Sequence, residues 1–163
     1  MKDVDTDFVQ LLAELTQHEV SFIVIGGVAA IAHGSARHTV DLDIVYQRSP
    51  ANLERLVAAL SPFKPYLRGA PPGLPFSWDR AMLKRGLNFT LITDLGDIDL
   101  LGEIAGGGTY NDLVSGAVEM DVFGFRCRCL SLRQLIRAKR AAGRPRDFDA
   151  IAELEAIEEE IRG

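Results

Sequence analysis

Apolar residues near the start of the chain recur at the spacing of an amphipathic helix. The stripe consists of Val4, Phe8, Leu11, Leu12 and Leu15. These spacings of one, three and four residues predict a helix over residues 4–17. The period then changes at residues 21–25, a short β-branched apolar run that stops at Gly26 and Gly27. Such a run is typical of a buried strand that enters a tight turn.

Residues 40–46 alternate between the two faces of a predicted strand. One face carries Val40, Leu42, Ile44 and Tyr46, and the opposite face carries Asp41, Asp43 and Val45. Because successive side chains of a strand point to opposite sides of the sheet, the two aspartates share one face. The pattern therefore predicts a strand with a carboxylate face, which follows a short helix at residues 28–33 and precedes a helix that begins at Ser49 and Pro50.

The remaining pattern predicts a loop, two hairpins and two helices. Residues 61–78 contain five prolines and should form a long loop, which in a domain of this size is more often a functional flap than a linker. The other elements are helical turns at 79–85, hairpins over 87–101 and 118–130, and helices over 131–142 and 147–161. The expected fold class is mixed α/β (α+β), with a mixed sheet flanked by helices and the C-terminal helices, from about residue 131 to 161, packed on the core.

Length and composition agree with this fold class. The 163 residues are 47% apolar, which is enough for one sizeable core, so a single domain over residues 1–163 is expected. The N-terminus is acidic and lacks the apolar run of a secretory signal. The longest stretch without a polar side chain, residues 22–32, is shorter than the roughly 18 residues that a membrane span requires. These features favour a cytoplasmic protein without a membrane segment.

Charge is distributed unevenly along the chain. The net charge is −5, yet residues 126–146 hold eight basic residues and no acid, and residues 147–160 hold seven acids and no base. The global charge would repel a polyanion, whereas a local basic face could bind phosphates. One stripe of the predicted helix carries Arg133, Arg137 and Arg140, a spacing that favours a solvent-exposed face. No acid within residues 126–146 offsets the charge of this stripe.

The acidic positions carry the most informative chemistry. Asp41 and Asp43 have Cα atoms about 6.6 Å apart on one strand face, close enough for both carboxylates to bind one cation. Asp97 and Asp99 repeat this spacing in the first hairpin. If that hairpin pairs beside the strand at 40–46, Asp99 completes a three-carboxylate cluster suited to Mg²⁺ and substrate phosphates. The preceding strand ends in two glycines, where backbone amides could receive phosphate.

Four segments together resemble a known family. They are Gly26-Gly27, Arg37-His38-Thr39-Val40-Asp41-Leu42-Asp43, Gly96-Asp97-Ile98-Asp99-Leu100-Leu101 and the helix with its following turn at residues 132–147. Over about residues 20–155 the chain resembles the nucleotidyltransferases of the DNA polymerase beta superfamily. Within it, the chain is similar to small bacterial proteins related to minimal nucleotidyltransferases and to the abortive-infection toxin-antitoxin group. The resemblance implies a nucleotidyltransferase-like fold, an NTP substrate and Mg²⁺ or Mn²⁺ as cofactor.

The resemblance also assigns roles to the acidic residues. Asp41 and Asp43 would bind the catalytic metals, and Asp99, as the third metal ligand, would help to activate the attacking hydroxyl. Two divalent ions can stabilise the attacking and leaving oxygens together, and a carboxylate near the acceptor lowers the cost of removing its proton.

Nucleotide contacts are implied at five further positions. By the resemblance, Gly26 and Gly27 let the NTP phosphates approach the backbone, and Arg37 and Thr39 contact the nucleotide. The family usually has serine after the first glycine, so with Gly27 one phosphate contact must come from an amide, from Arg37 or from elsewhere. Lys139 continues the apolar face of its predicted helix, so it either extends its ammonium group to water or places a point charge on the NTP phosphates.

These assignments predict a metal-dependent nucleotidyltransferase that moves a nucleoside monophosphate from an NTP to a hydroxyl. The acceptor could be a protein, an RNA or a small molecule, and a cognate toxin or antitoxin is a possible partner. The alternative is a nucleotide-binding or partner-binding module that keeps the fold but has lost transfer. Gly27 in place of serine favours this module, whereas Asp41, Asp43 and Asp99 favour the enzyme.

Overall fold

A seven-stranded mixed sheet organises the fold. A computed structural model describes residues 5–162 of the chain. The strands are β1 (Phe22–Ile25), β2 (Asp41–Tyr46), β3 (Tyr66–Leu67), β4 (Asn88–Thr93), β5 (Gly96–Leu101), β6 (Glu103–Ile104), β7 (Gly108–Thr109), β8 (Val118–Val122) and β9 (Phe125–Cys129). Seven of them lie in the order β3-β4-β5-β2-β1-β9-β8, and β6 pairs with β7 separately. β2 is parallel to β5 and β1 is parallel to β9, whereas the other neighbours are antiparallel.

Helices cover the sheet, and several begin at a side-chain cap. They are α1 (Phe8–Gln17), α2 (Gly26–Ala32), α3 (Pro50–Leu60), α4 (Arg80–Arg85), α5 (Tyr110–Leu113), α6 (Leu132–Ala142) and α7 (Phe148–Arg162), with 3-10 turns at Ser61–Phe63 and Pro145–Asp147. Asp7, Ser49 and Ser131 each accept a hydrogen bond from the backbone N–H three residues later, which satisfies a donor that the helix start leaves free. Val4, which the sequence pattern assigns to the first helix, lies outside the described residues.

One layer of the core lies on the face of the central strands opposite to their aspartates. Leu42 and Ile44 of β2 are fully buried, and Ile98 and Leu100 of β5 lie beside them in register. The C-terminal helices α6 and α7 contribute leucines to the same buried cluster. Because side chains alternate along a strand, the apolar layer and the carboxylates end up on opposite sides of β2 and β5.

The structure confirms the predicted fold class and both predicted hairpins. The loop prediction at residues 61–78 is only partly right, because Tyr66–Leu67 forms the edge strand β3 and Ser61–Phe63 forms a 3-10 turn. The short elements β6, β7 and α5 were not predicted, because their two to four residues are too few to show a period. Among residues 5–162, none of the helices is both long and apolar enough to cross a bilayer.

Candidate functional site

Four carboxylates meet on one face of the sheet where β2 lies parallel to β5. The register aligns Asp41 with Asp97 and Asp43 with Asp99, as the predicted pairing of the hairpin beside residues 40–46 requires. One carboxylate oxygen from each of Asp41, Asp43 and Asp99 lies within 4.8 Å of the other two. This spacing allows the three side chains to coordinate one cation.

Burial makes this cluster electrostatically unfavourable without a counter-charge. Burial, followed by repulsion from Asp41 and Asp99, raises the pKa of Asp43 to about 8. Burial also raises the pKa of Asp99 above its ordinary value. The Oδ1 atom of Asp43 is buried and has no hydrogen-bond partner among the described residues. Clustered carboxylate oxygens are the ligands that Mg²⁺ and Mn²⁺ prefer, so the residues present fit a divalent cation.

Arg68 reaches the same cluster from the segment after β3. Its Nη2 donates a hydrogen bond to Oδ1 of Asp99 at 2.8 Å, and its Nε lies 3.4 Å from Oδ2 of Asp97. Its Nη1 lies 3.8 Å from Oδ2 of Asp41. Arg68 was not among the predicted site residues, because its contacts with the aspartates join positions about thirty residues apart in the sequence. The one signal in the sequence was the expectation that residues 61–78 form a functional flap.

Two glycines fit closely against the carboxylate face. Gly26 begins α2 with φ +66°, and a Cβ atom there would collide with the carboxylate of Asp43. A Cβ at Gly27 would lie 2.6 Å from Oγ1 of Thr39. The Thr39 hydroxyl thus fills the space that a side chain at position 27 would need, which gives a physical reason for glycine in place of serine.

A cavity of about 420 Å³ opens beside these glycines. Its polar lining consists of Gly26, Gly27 and Asp43, the exposed Glu103 of β6, Lys139 from α6 and Arg144 from the turn that follows α6. The apolar part of the wall consists of Ile25, Leu101, Ile104, Ala105, Leu130, Leu135, Ala138 and Ala142. The volume is in the usual range for small-molecule sites, and the polar groups are few and convergent. The cavity therefore joins an acidic cluster to a basic one.

The basic cluster is built around one buried carboxylate. Asp147 is 5% exposed, and its Oδ2 accepts a 2.7 Å hydrogen bond from Nε of Arg144. Nζ of Lys139 lies 3.4 Å from Oδ1 of the same carboxylate. The hydrogen bond from Arg144, with the nearby charge of Lys139, lowers the pKa of Asp147. Asp147 thus forms ion pairs with both Lys139 and Arg144.

A second cavity of about 210 Å³ adjoins the first and shares Gly27 and Lys139 with it. Arg37, His38 and Arg146 also line this cavity. Nε of Arg37 lies 3.7 Å from a carboxylate oxygen of Glu153 on α7, so an acid partly offsets its charge. Arg37 thus lines the second cavity, whereas Asp43 lines the first.

The basic stretch at residues 126–146 is not as uncompensated as its sequence suggested. Nη2 of Arg140 lies 2.6 Å from Oε1 of Glu155, and Nε of Arg133 lies 3.7 Å from Oε2 of Glu158. Both acids belong to α7, which packs against α6. The acidic run that follows in the sequence therefore folds back onto the basic helix, and this corrects the expectation that no acid offsets its arginine stripe.

Most of the predicted site residues meet around the ends of β1 and β2. The residues brought together there are Gly26, Gly27, Thr39, Asp41, Asp43 and Asp99. Lys139 lies across the larger cavity, and Arg37 lies at the smaller one. The geometry can hold a divalent cation at one end of a cavity and an anion at the other.

Two solved structures share this fold. A proposed nucleotidyltransferase from Thermotoga maritima is 17% identical, with a TM-score of 0.57, over 89% of this chain and 88% of that protein. The lincosamide antibiotic adenylyltransferase LnuA, in a lincomycin-bound structure, is 17% identical, with a TM-score of 0.58, over 94% of this chain and 99% of that protein. None of the protein-family models matches the chain, and no curated protein does. The comparisons thus show a nucleotidyltransferase-like fold.

Proposed function

We propose that this chain is a metal-dependent nucleotidyltransferase that transfers a nucleoside monophosphate from an NTP to a hydroxyl, with release of pyrophosphate. The observation that carries the proposal is the carboxylate cluster of Asp41, Asp43 and Asp99 beside a cavity that also contains Lys139. A metal–triphosphate ligand complements these charges, because its cation would face the carboxylates and its phosphates would face Lys139. The fold shared with LnuA and the Thermotoga protein supports the same conclusion.

Asp41, Asp43 and Asp99 would hold Mg²⁺ or Mn²⁺. A bound divalent ion of this kind supplies charge stabilisation to the phosphoryl oxygens and lowers the pKa of an attacking hydroxyl. Asp43 lines the cavity and has a buried carboxylate oxygen without a partner among the described residues, so it faces the nucleotide. Asp99 lies on the side toward β4 and Arg68, so it would accept the proton of the acceptor hydroxyl.

The nucleotide would lie in the larger cavity. Gly26 and Gly27 leave room for phosphates beside Asp43, and the Thr39 hydroxyl lies where a serine side chain at position 27 would begin. Thr39 therefore supplies a hydroxyl to the phosphates in place of that serine. Lys139 contributes a positive charge at the boundary of the two cavities, and Arg37 extends that charge into the smaller one.

Three classes of acceptor remain candidates: a protein, an RNA and a small molecule. The ion pairs between α6 and α7 reduce the positive charge available to an RNA. LnuA, by its name, modifies a lincosamide antibiotic, which supports a small molecule. A toxin-antitoxin partner remains a proposal from the resemblance. One domain with an NTP substrate is consistent with a cytoplasmic protein.

The second candidate function is a nucleotide-binding module without transfer. One observation favours it: Arg68 already neutralises part of the carboxylate cluster. A module of this kind would bind NTP in the cavity and leave the phosphodiester chemistry undone. The two candidates differ in a single measurable step, the formation of a covalent nucleotidylated product.

Labelling with radioactive NTPs tests the proposal. Each α-labelled NTP is incubated with the protein, Mg²⁺ or Mn²⁺, and a lysate of the source cell, and the enzyme is expected to leave label on one or a few acceptors. Asp99→Asn should bind NTP nearly as well as the parent but transfer at least about 100-fold less, since a general base acts mainly in the transition state. If NTP binds but labels nothing with any metal or acceptor, the binding module replaces the enzyme.

A further inference from the structure

The carboxylate cluster has a resident cation that belongs to the protein itself. The guanidinium of Arg68 forms ion pairs with Asp41, Asp97 and Asp99, at distances of 3.8, 3.4 and 2.8 Å. Two of these three acids are among the three whose oxygens converge for a metal ion. An arginine in this place is unexpected for a cluster that serves only to bind metal.

The backbone of Arg68 is fixed, whereas its guanidinium is held mainly by charge. Its N–H donates a 2.9 Å hydrogen bond to the carbonyl of Thr90, which continues the β3–β4 pairing. Its Nη2 is shared between Asp99 and the carbonyl of Leu91 at 2.7 Å. Its Nε is buried and makes no hydrogen bond of good geometry among the described residues. The side chain therefore crosses β4 and β5 without an ideal set of partners.

The contacts divide the cluster into two halves. Arg68 pairs with Asp41, Asp97 and Asp99, and none of its ion pairs is with Asp43, whose side chain lines the larger cavity. Asp97 lies outside the three-carboxylate set but is within reach of the guanidinium. One half is thus occupied by the arginine, and the other half faces the cavity.

A divalent cation and Arg68 compete for the same oxygens. A cation coordinated by all three carboxylates would take the Asp99 oxygen to which Nη2 donates, and its charge would repel the guanidinium at close range. Arg68 has a route away from the cluster, because 26% of its side chain is exposed to solvent.

We propose that Arg68 is a displaceable counter-cation of this site: it occupies the Asp41, Asp97 and Asp99 half in the metal-free protein and leaves Asp41 and Asp99 when a divalent cation binds. After displacement, Asp97 remains beside the site as a charge partner for Arg68. The metal-free cluster is thereby protected from repulsion among its acids, and metal affinity is held down. This inference rests on the divalent-metal site of the proposed function.

Titration with Mn²⁺, followed by the electron paramagnetic resonance signal of the free ion, tests the inference without any activity measurement. Arg68→Gln should bind Mn²⁺ at least about tenfold more tightly than the parent, because a competing charge is removed. Arg80→Gln is the matched control, since it removes the same charge from an exposed pair with Glu54 and should bind Mn²⁺ as the parent does. Equal or weaker binding by Arg68→Gln overturns the inference.

Arg68→Lys provides a second test if Arg68→Gln does not fold. Lysine keeps the charge but replaces the planar fork by a single ammonium group, so it cannot contact three carboxylates in the same way. Its Mn²⁺ affinity should lie between those of the parent and Arg68→Gln. If Arg68→Gln does not fold, the affinity of Arg68→Lys should still exceed that of the parent. An affinity equal to the parent's would contradict the inference.

The double variant Asp41→Asn with Asp43→Asn separates failure of this inference from failure of the proposed function. If it abolishes Mn²⁺ binding while Arg68→Gln leaves the affinity unchanged, the metal site stands and the role of Arg68 is refuted. If neither the parent nor Arg68→Gln binds Mn²⁺, with or without NTP, the metal site and this inference both fail.

Discussion

Two charge clusters border the larger cavity, a half-buried acidic cluster on the sheet and a basic cluster around the buried Asp147, and they are unbalanced in opposite directions. On the sheet, the carboxylates of Asp41, Asp43, Asp97 and Asp99 lie together, and Arg68 forms ion pairs with three of them, Asp41, Asp97 and Asp99. At the other cluster, the single carboxylate of Asp147 is held by Lys139 and Arg144. The first cluster needs more positive charge and the second can accept negative charge. Together they complement a ligand that carries a metal ion beside phosphates.

The same residue type behaves differently in the two clusters. Burial and neighbouring acids raise the pKa of Asp43 to about 8, whereas hydrogen bonds from Arg144 lower the pKa of Asp147. Burial is the main cause of the raised pKa of Asp43, with repulsion from its acidic neighbours second, whereas the hydrogen bond from Arg144 is the main cause of the lowered pKa of Asp147. An aspartate that destabilises the metal-free fold and an aspartate that stabilises it are thus separated by one cavity.

The strongest way to break the acid-rich cluster is Asp43→Asn. We expect transfer to fall by about 10³-fold or more, because loss of a metal ligand removes several kcal/mol of charge stabilisation in the transition state. Asp94→Asn, in the exposed turn between β4 and β5, is the matched control and should keep the parent rate. Initial rates with saturating NTP and Mg²⁺ measure both variants. Full activity in Asp43→Asn would place the metal site elsewhere.

The basic cluster is tested by Lys139→Gln. NTP affinity should fall by about 10- to 100-fold, since a charged hydrogen bond to phosphate contributes about 1.5–3 kcal/mol. Lys84→Gln removes an equal charge from the exposed end of α4 and serves as the control. Equilibrium binding of a non-hydrolysable NTP analogue gives the comparison. A loss as large with Lys84→Gln would mean that only net charge matters.

Members of both clusters could be predicted from the sequence. Asp41 and Asp43 follow from strand alternation, which is a local rule, whereas Asp99 also required the hairpin over 87–101 to pair beside the strand at 40–46. Lys139 follows from helical spacing. The fold class and most helix and strand positions follow from the same periodicities.

Residues whose importance depends on long-range contacts could not be predicted in this way. Arg68 lies in a proline-rich segment without a period, and its partners Asp97 and Asp99 come about thirty residues later. The compensation of Arg140 by Glu155 depends on how α7 packs against α6. Gly27 looked like the loss of a serine, and only the position of Thr39 explains it.

Asp147→Asn and the exposed control Asp149→Asn test the stability of the basic cluster. The Asp147 change leaves two cations beside a neutral amide, so we expect a loss of about 1–3 kcal/mol in the free energy of unfolding. For a chain of this length that corresponds to a melting temperature lower by several degrees. Thermal unfolding at pH 7 by circular dichroism measures the difference. An unchanged melting temperature would show that the ion pairs contribute nothing to folding.

The smallest expected effect is that of Asp43→Asn on stability. It separates the two clusters most clearly, because it should have the opposite sign to the effect of Asp147→Asn. The folded protein binds a proton at Asp43 more tightly than the unfolded chain does, since the pKa rises from 3.8 to about 8 on folding. In EDTA, the parent should therefore lose stability as the pH rises from about 4 to about 8, and the variant should lack this component. At pH 8 the variant should melt a few degrees higher than the parent, whereas near pH 3 the two should be alike, because that pH lies below both pKa values and the parent carboxyl is then largely protonated in both states. Arg68 already offsets part of the repulsion, which keeps the difference modest.

Thermal unfolding of the parent and Asp43→Asn at several pH values measures this difference. If Asp43→Asn lowers the melting temperature at pH 8 as Asp147→Asn does at pH 7, the acid-rich cluster is balanced in the metal-free protein, and the contrast between the two clusters is wrong.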